Sequence, residues 1–128
     1  MKIAFEATHA VFEDDEYALL CAFGGESGSP SHYLILQRSA ESEPPQEDWG
    51  VHVEYNDQVT GLYNVVRRCA LSRNSLSLEL SAPLPTLSQV EGFEVSLSIS
   101  DAAYAQISAG LRRIFRGTAA GLLDAQST

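Results

Sequence analysis

Cationic side chains are scarce in this sequence. Eight Lys and Arg residues stand against 17 Asp and Glu residues in a chain of 128, and the formal net charge is −9. Binding to nucleic acid depends on Lys and Arg side chains that displace counterions from phosphates, so this balance argues against a nucleic-acid partner. Anionic membrane surfaces also attract basic segments, so they are equally unfavourable. The charge favours a cationic protein partner, although acidity also serves solubility alone.

Cysteine and long apolar runs are scarce as well. Cys21 and Cys69 are the two cysteines, and each lies within an apolar stretch. A disulfide framework in so small a chain needs more cysteines, so we expect buried, reduced thiols. Glu6 and His9 interrupt any signal-peptide core, and no apolar run approaches the length that spans a bilayer. Together these features predict a cytoplasmic protein.

Motifs for catalysis and cofactor binding are missing. His9, His32 and His52 show no metal-ligand spacing with one another or with the cysteines. The glycine-rich segment 24–28 lacks the Lys of a phosphate-binding loop and is not followed by a helical pattern. A Cys and a His can meet only in the fold, but apolar surroundings would leave either thiol inert. We therefore predict no enzyme activity, no cofactor and no metal.

Alternation of apolar and polar residues is the strongest pattern in the chain, and it is typical of half-buried strands. The strands that it predicts cover residues 3–11, 17–23, 33–38, 51–55, 62–71, 76–80 and 93–99. Ser72-Arg73-Asn74-Ser75 has the composition of a hairpin turn. The segment 40–48 contains Pro44-Pro45 and predicts a loop, because proline cannot donate a ladder hydrogen bond.

One helix is predicted after the last strand, with Ser100 or Asp101 as its N-cap and Gly117 at its end. Its apolar stripe at helical spacing comprises Tyr104, Ile107, Leu111, Ile114 and Phe115. The predicted fold is α+β: a mainly antiparallel sheet of about six to seven strands with one C-terminal helix packed on one face. We expect a single domain over residues 1–117 and a C-terminal tail, 118–128, that is weakly ordered or docked.

Acidic residues are concentrated in two segments that also contain the single Trp. The candidate partner-binding residues are Glu13, Asp14, Asp15, Glu16, Glu41, Glu43, Glu47, Asp48 and Trp49. Trp is enriched at interface hot spots, and an acidic surface around it would suit a basic protein. The alternative is that both segments are ordinary solvated loops and that Trp49 begins a strand and packs in the core.

Four segments, in order over nearly the whole chain, resemble a known family. They are residues 14–17, residues 33–39, residues 53–58 with 61–63 and 71–73, and residues 93–101 with 111–115. Leu36-Gln37-Arg38-Ser39 and Asn56-Asp57-Gln58 are the most specific parts. The chain is similar to bacterial immunity proteins of the family catalogued as number ten among those that accompany polymorphic toxins. The resemblance would place a glycine pair after Tyr63, where this chain has Asn64-Val65.

This resemblance implies that the chain binds and neutralises a cognate toxin by stoichiometric occlusion, without chemistry. If that toxin is a nuclease, its basic groove would match the acidic surface. A non-catalytic adaptor or a secretion-associated chaperone is the alternative, and it predicts self-association or several partners. A small-molecule enzyme or ligand-binding barrel is a third class, and it predicts a deep pocket with convergent polar groups. The oligomeric state is left open.

Several polar residues within these motifs invite a catalytic interpretation. We favour a structural role for Gln37, Arg38 and residues 56–58, because Asn and Asp side chains commonly bond the backbone of turns. Arg38 and Glu54 could also form an ion pair across neighbouring strands.

Overall fold

The computed structural model describes residues 1–15, 17–25, 32–39, 50–116, 118 and 123–124. These residues form ten strands and one helix. In chain order they are β1 (Lys2–Ala7), β2 (His9–Asp14), β3 (Ala18–Gly24), β4 (Tyr33–Ser39), β5 (His52–Tyr55), β6 (Asp57–Tyr63), β7 (Val66–Ser72), β8 (Ser75–Leu80), β9 (Gly92–Leu97), α1 (Asp101–Ile114) and β10 (Leu123–Asp124). The predicted α+β class and the single helix are confirmed.

The strands form two sheets of five instead of one sheet of six or seven. Sheet I has the order β1-β9-β8-β7-β10, and sheet II has the order β2-β3-β4-β5-β6. Every pairing in sheet II is antiparallel. In sheet I, β1 pairs with β9 and β10 pairs with β7 in parallel, and the other pairings are antiparallel. Mainly antiparallel pairing is thus confirmed.

Two of the predicted strands are each divided between the sheets. The run 3–11 breaks at Thr8, where the chain crosses from sheet I to sheet II and the Thr8 N–H donates to the Gly24 carbonyl at 3.0 Å. The buried side chains change phase there, from Phe5 and Ala7 to Ala10. Treating the run as one strand predicted that Val11 is buried, and that is wrong because 44% of Val11 is exposed.

The run 62–71 divides between Tyr63, the last residue of β6, and Val66, the first residue of β7. Asn64 in the connection has a φ of 60°, in the left-handed region that glycine and Asn adopt most readily. Asn64 thus adopts a left-handed conformation at the position where the resemblance would put the first of two glycines. The predicted hairpin turn at 72–75 is confirmed, since β7 pairs with β8 from Ser72 and Ser75 onward.

The core lies between the inner faces of the two sheets. The Tyr55 ring of sheet II packs between Phe5 and Phe93 of sheet I, with ring centroids 6.2 and 5.1 Å apart. Cys21 and Cys69 lie on opposing inner faces, and both are fully buried free thiols. Burial raises the pKa of Cys69 to about 12, and burial and the neighbouring Cys69 raise the pKa of Cys21. Both thiols stay protonated, as expected for inert core cysteines.

Helix α1 packs against β2, β3 and β4, so it covers a second part of the inner face of sheet II. The Ser100 hydroxyl caps it by accepting from the Ala103 N–H at 3.1 Å. The predicted stripe is the buried side of the helix, with Ile107, Leu111 and Ile114 fully enclosed. The predicted end at Gly117 falls outside the described residues, and so does most of the predicted tail.

Gly110 allows α1 to approach sheet II closely. A Cβ atom at this position would collide with the ring of Phe12 on β2. Glycine within a helix costs about 1 kcal/mol relative to Ala, so the close approach explains why this chain carries one here. The half-buried ring of Phe12 occupies the space that a side chain at position 110 would need, so its packing against α1 requires glycine there.

Gly110→Ala should therefore destabilise the protein, by about 1–3 kcal/mol from overpacking, instead of stabilising it through helix propensity. Urea denaturation measures the change in unfolding free energy. In a Phe12→Ala background the collision is absent, so the same substitution should become neutral or stabilising. Stabilisation by Gly110→Ala in the wild-type background would contradict the close packing.

Leu111→Ala should cost about 2–5 kcal/mol in unfolding free energy, because Leu111 is completely buried beneath sheet II. The control is Gln106→Ala on the exposed side of α1, which should stay within about 0.5 kcal/mol of the wild type. Chemical denaturation of both variants checks the prediction. A loss below about 0.5 kcal/mol for Leu111→Ala would show that α1 is not docked.

Candidate functional site

Three of the nine predicted partner-binding residues lie in the described part of the chain: Glu13, Asp14 and Asp15. The other six lie outside it, and partner binding stays a prediction for all nine. These are Glu16, Glu41, Glu43, Glu47, Asp48 and Trp49.

The three described acids differ in what they contact. Asp15 Oδ1 accepts hydrogen bonds from the N–H groups of Tyr17 at 2.7 Å and Ala18 at 2.8 Å, so Asp15 closes the turn between β2 and β3. These bonds hold the pKa of the Asp15 carboxyl below its usual value. Asp14 Oδ2 accepts from Arg113 Nη1 of α1 at 2.6 Å. Glu13 is exposed on the opposite face of β2 from Asp14, so its carboxylate faces away from α1.

The most specific motif segment also serves the fold. Arg38 Nη1 donates to the carbonyl oxygens of Ile114 at 2.8 Å and Arg116 at 2.6 Å, so a cation meets the negative end of the α1 dipole. The predicted Arg38–Glu54 ion pair is wrong, because the two side chains lie on opposite faces of sheet II. Glu54 instead accepts from the Tyr33 hydroxyl at 2.8 Å.

The second specific segment forms the turn between β5 and β6. Asn56 has a φ of 61°, and its Oδ1 accepts from the Tyr33 N–H at 2.7 Å. Asp57 Oδ1 accepts from the Val59 N–H at 3.1 Å. The predicted turn role is confirmed for Asn56 and Asp57, whereas the structural role of Arg38 is at the end of α1 and not at a strand end or turn.

The described residues offer little that could carry catalysis. They include every His and Cys of the chain, and among them no three His, Cys, Asp or Glu side chains are grouped to hold a metal ion. The His32 ring stacks on Phe5 with centroids 5.0 Å apart, and His32 Nδ1 forms a hydrogen bond with the Tyr55 hydroxyl. His32 is thus part of the core packing between the sheets.

A cavity of about 610 Å³ lies at one end of sheet I, where its lining includes Lys2, Arg67, Glu79 and Glu91. Glu79 pairs with Arg67 at 2.6 Å, and Glu91 pairs with the N-terminal amine at 2.7 Å. These polar groups are directed at one another rather than at a shared point in the cavity, so the cavity lacks the convergent groups of a ligand pocket.

The one helix among the described residues, α1, is not long and apolar enough to cross a membrane.

The outer faces of the two sheets differ in composition. The outer face of sheet I is mostly Ser, Glu, Lys and Arg, and its charges pair across strands, as in the 3.1 Å contact between Lys2 and Glu94. The outer face of sheet II is largely apolar across its first three strands. Its residues are His9, Val11, Glu13, Ala18, Leu20, Ala22, Gly24, Tyr33, Ile35, Gln37, Ser39, His52, Glu54 and Tyr63.

None of the eight cationic side chains lies on the outer face of sheet II. Lys2, Arg67 and Arg68 belong to sheet I, and Arg73 lies in its β7–β8 turn. Arg38 points to the inner face, and Arg112, Arg113 and Arg116 lie on α1 or directly after it. This segregation leaves one outer face with carboxylates and no cation.

The described residues define a two-sheet α+β protein in which the outer face of sheet II is largely apolar and carries no Lys or Arg. A family model described as Immunity protein 10 (Imm10) matches residues 6–105, from β1 into the first turns of α1. The chain belongs to the Immunity protein 10 family, as the four motif segments predicted. None of the curated proteins compared with the chain matches it.

Glu13→Lys and Asp14→Lys should have different effects on folding although the two acids are adjacent. Asp14→Lys replaces an ion pair with a repulsion from Arg113 and should lower the unfolding free energy by about 1 kcal/mol. Glu13→Lys should change it by less than about 0.5 kcal/mol, because its carboxylate faces away from α1. Chemical denaturation in low salt measures both, and equal losses would contradict the pairing.

Proposed function

We propose that this chain binds a cognate toxin in the cytoplasm and neutralises it as a stoichiometric complex, by occlusion and without chemistry. Membership of the Immunity protein 10 family carries the proposal, because it supports a role in immunity for this fold. The inert buried thiols and the internally paired charges of the sheet I cavity fit an action by binding alone. In such a mechanism the protected cell needs one copy of this chain for each toxin molecule.

The charge of the chain supports a basic partner. A net charge of −9 raises the encounter rate with a cationic protein, and the effect weakens as salt screens it. In the chain, segment 26–31 lies between β3 and β4 and segment 40–49 lies between β4 and β5, and these strands are all part of sheet II. We include Glu41, Glu43, Glu47, Asp48 and Trp49 in the proposed toxin-facing surface on this ground.

Co-expression with the product of the adjacent gene tests the proposal. Cells that express that product alone should die, and co-expression of this chain should restore growth. The two proteins should co-purify as a one-to-one complex, and the association rate should fall as the salt concentration rises. A second chain of similar size and acidity serves as the control for non-specific charge effects.

Absence of both rescue and complex would reject the proposal. Self-association of this chain, or co-purification with several unrelated proteins, would instead support the alternative of an adaptor or a secretion-associated chaperone. Rescue at far less than one copy per toxin would point to an enzymatic mechanism and would contradict occlusion.

A further inference from the structure

The strand register arranges the outer face of sheet II in rows that run across the sheet. One row contains Val11, Ala22, Ile35 and Glu54, directly opposite one another on β2, β3, β4 and β5. The next row contains, in order across the sheet, Glu13, Leu20, Gln37, His52 and Tyr63. Four aliphatic side chains, those of Val11, Ala22, Ile35 and Leu20, therefore lie next to one another at the middle of β2, β3 and β4.

Exposed large hydrophobic side chains are concentrated on this face. Val11 is 44% exposed and Tyr63 is 47% exposed, and both lie at outward-facing positions of sheet II strands. Val59, 56% exposed, also belongs to β6. Tyr17, 72% exposed, lies in the turn that joins β2 to β3. A solvated antiparallel face normally carries polar residues, as the outer face of sheet I does here. Contiguous apolar surface of this kind marks interaction sites on soluble proteins.

The architecture directs this face outward. Both other layers of the described structure, α1 and sheet I, pack on the inner face of sheet II. Strand β3 is nevertheless apolar on both sides. Leu19, Cys21 and Phe23 face inward, and Leu20 and Ala22 face outward. The inward residues make the core, whereas the described part of the fold gives no such reason for the outward residues to be apolar.

The charge on this face selects the chemistry of its partner. Glu13 stands at one border of the aliphatic centre and Glu54 at the other, and every Lys and Arg of the chain lies elsewhere. A second copy of this chain would bring like carboxylates together and add another charge of −9, which opposes self-association. A protein surface with an apolar centre and basic side chains around it would complement both features.

We infer that the outer face of sheet II, centred on Val11, Leu20, Ala22 and Ile35, is the surface that docks the toxin, and that the toxin presents an apolar patch bordered by Lys or Arg. This inference rests on the proposed function and names the surface through which it acts. The apolar centre supplies the desolvated part of the interface, and the border carboxylates orient the basic partner.

Val11→Arg tests the inference, with Ala4→Arg as a matched control. Both residues are exposed on an edge strand, one on the outer face of sheet II and the other on the outer face of sheet I. Val11→Arg should weaken the complex with the adjacent gene product about 30-fold or more, as loss of an interface hot spot does. Ala4→Arg should leave affinity and rescue of growth unchanged. Urea denaturation verifies that both variants are folded.

If Val11→Arg is not folded, Val11→Ser replaces it and should weaken binding while Ala4→Ser does not. The inference would be overturned, and the proposed function left intact, if the wild type binds and rescues growth and a folded Val11 variant binds and rescues equally well. Failure of the wild type to bind or rescue would overturn both. A wild-type dimer that Val11→Arg dissociates would show that a second copy covers this face, and that result would also overturn the inference.

Discussion

The inner face of sheet II has to accommodate two layers at once, and the rest of the structure follows from this constraint. Phe5 and Phe93 of sheet I pack against the Tyr55 ring on this face, and α1 occupies the part formed by β2, β3 and β4. Burial of these apolar side chains is the dominant favourable term for a domain of this size. Because both layers share one side of sheet II, the other side is the face that the described fold turns to solvent.

Polar contacts around α1 use several of the charged residues in the described part of the chain. Arg38 binds the carbonyl groups at the end of the helix, and Asp14 binds Arg113. The guanidinium of Arg113 also lies 5.7 Å from the centroid of the Phe12 ring, the ring that faces Gly110. Within the acidic turn, Asp14 and Asp15 therefore make contacts inside the fold, whereas Glu13 faces outward.

Local patterns were enough to predict most elements but not their arrangement. The Ser100 cap, the stripe of α1 and the 72–75 hairpin follow from spacing and turn chemistry within a few residues, and the structure confirms them. The division of run 3–11 between two sheets depends on Thr8 meeting Gly24, a contact that no local pattern contains. The pairing of Asp14 with Arg113 joins residues 99 positions apart, so no local pattern could have shown that Asp14 contacts α1. The apolar outer face was missed because a continuous apolar run such as 18–23 is also what a strand covered on both sides would show.

Methyl NMR of the chain, with and without an inactive toxin variant, tests the claim that the toxin docks on the outer face of sheet II. If the toxin docks there, the methyl signals of Val11, Leu20, Ala22 and Ile35 should shift strongly and show intermolecular contacts with the toxin. The methyl groups of Ala4 and Ala70, on sheet I, should hardly change. Perturbation confined to sheet I or to the exposed side of α1, with the Val11 and Ile35 signals unchanged in a saturated complex, would contradict the claim.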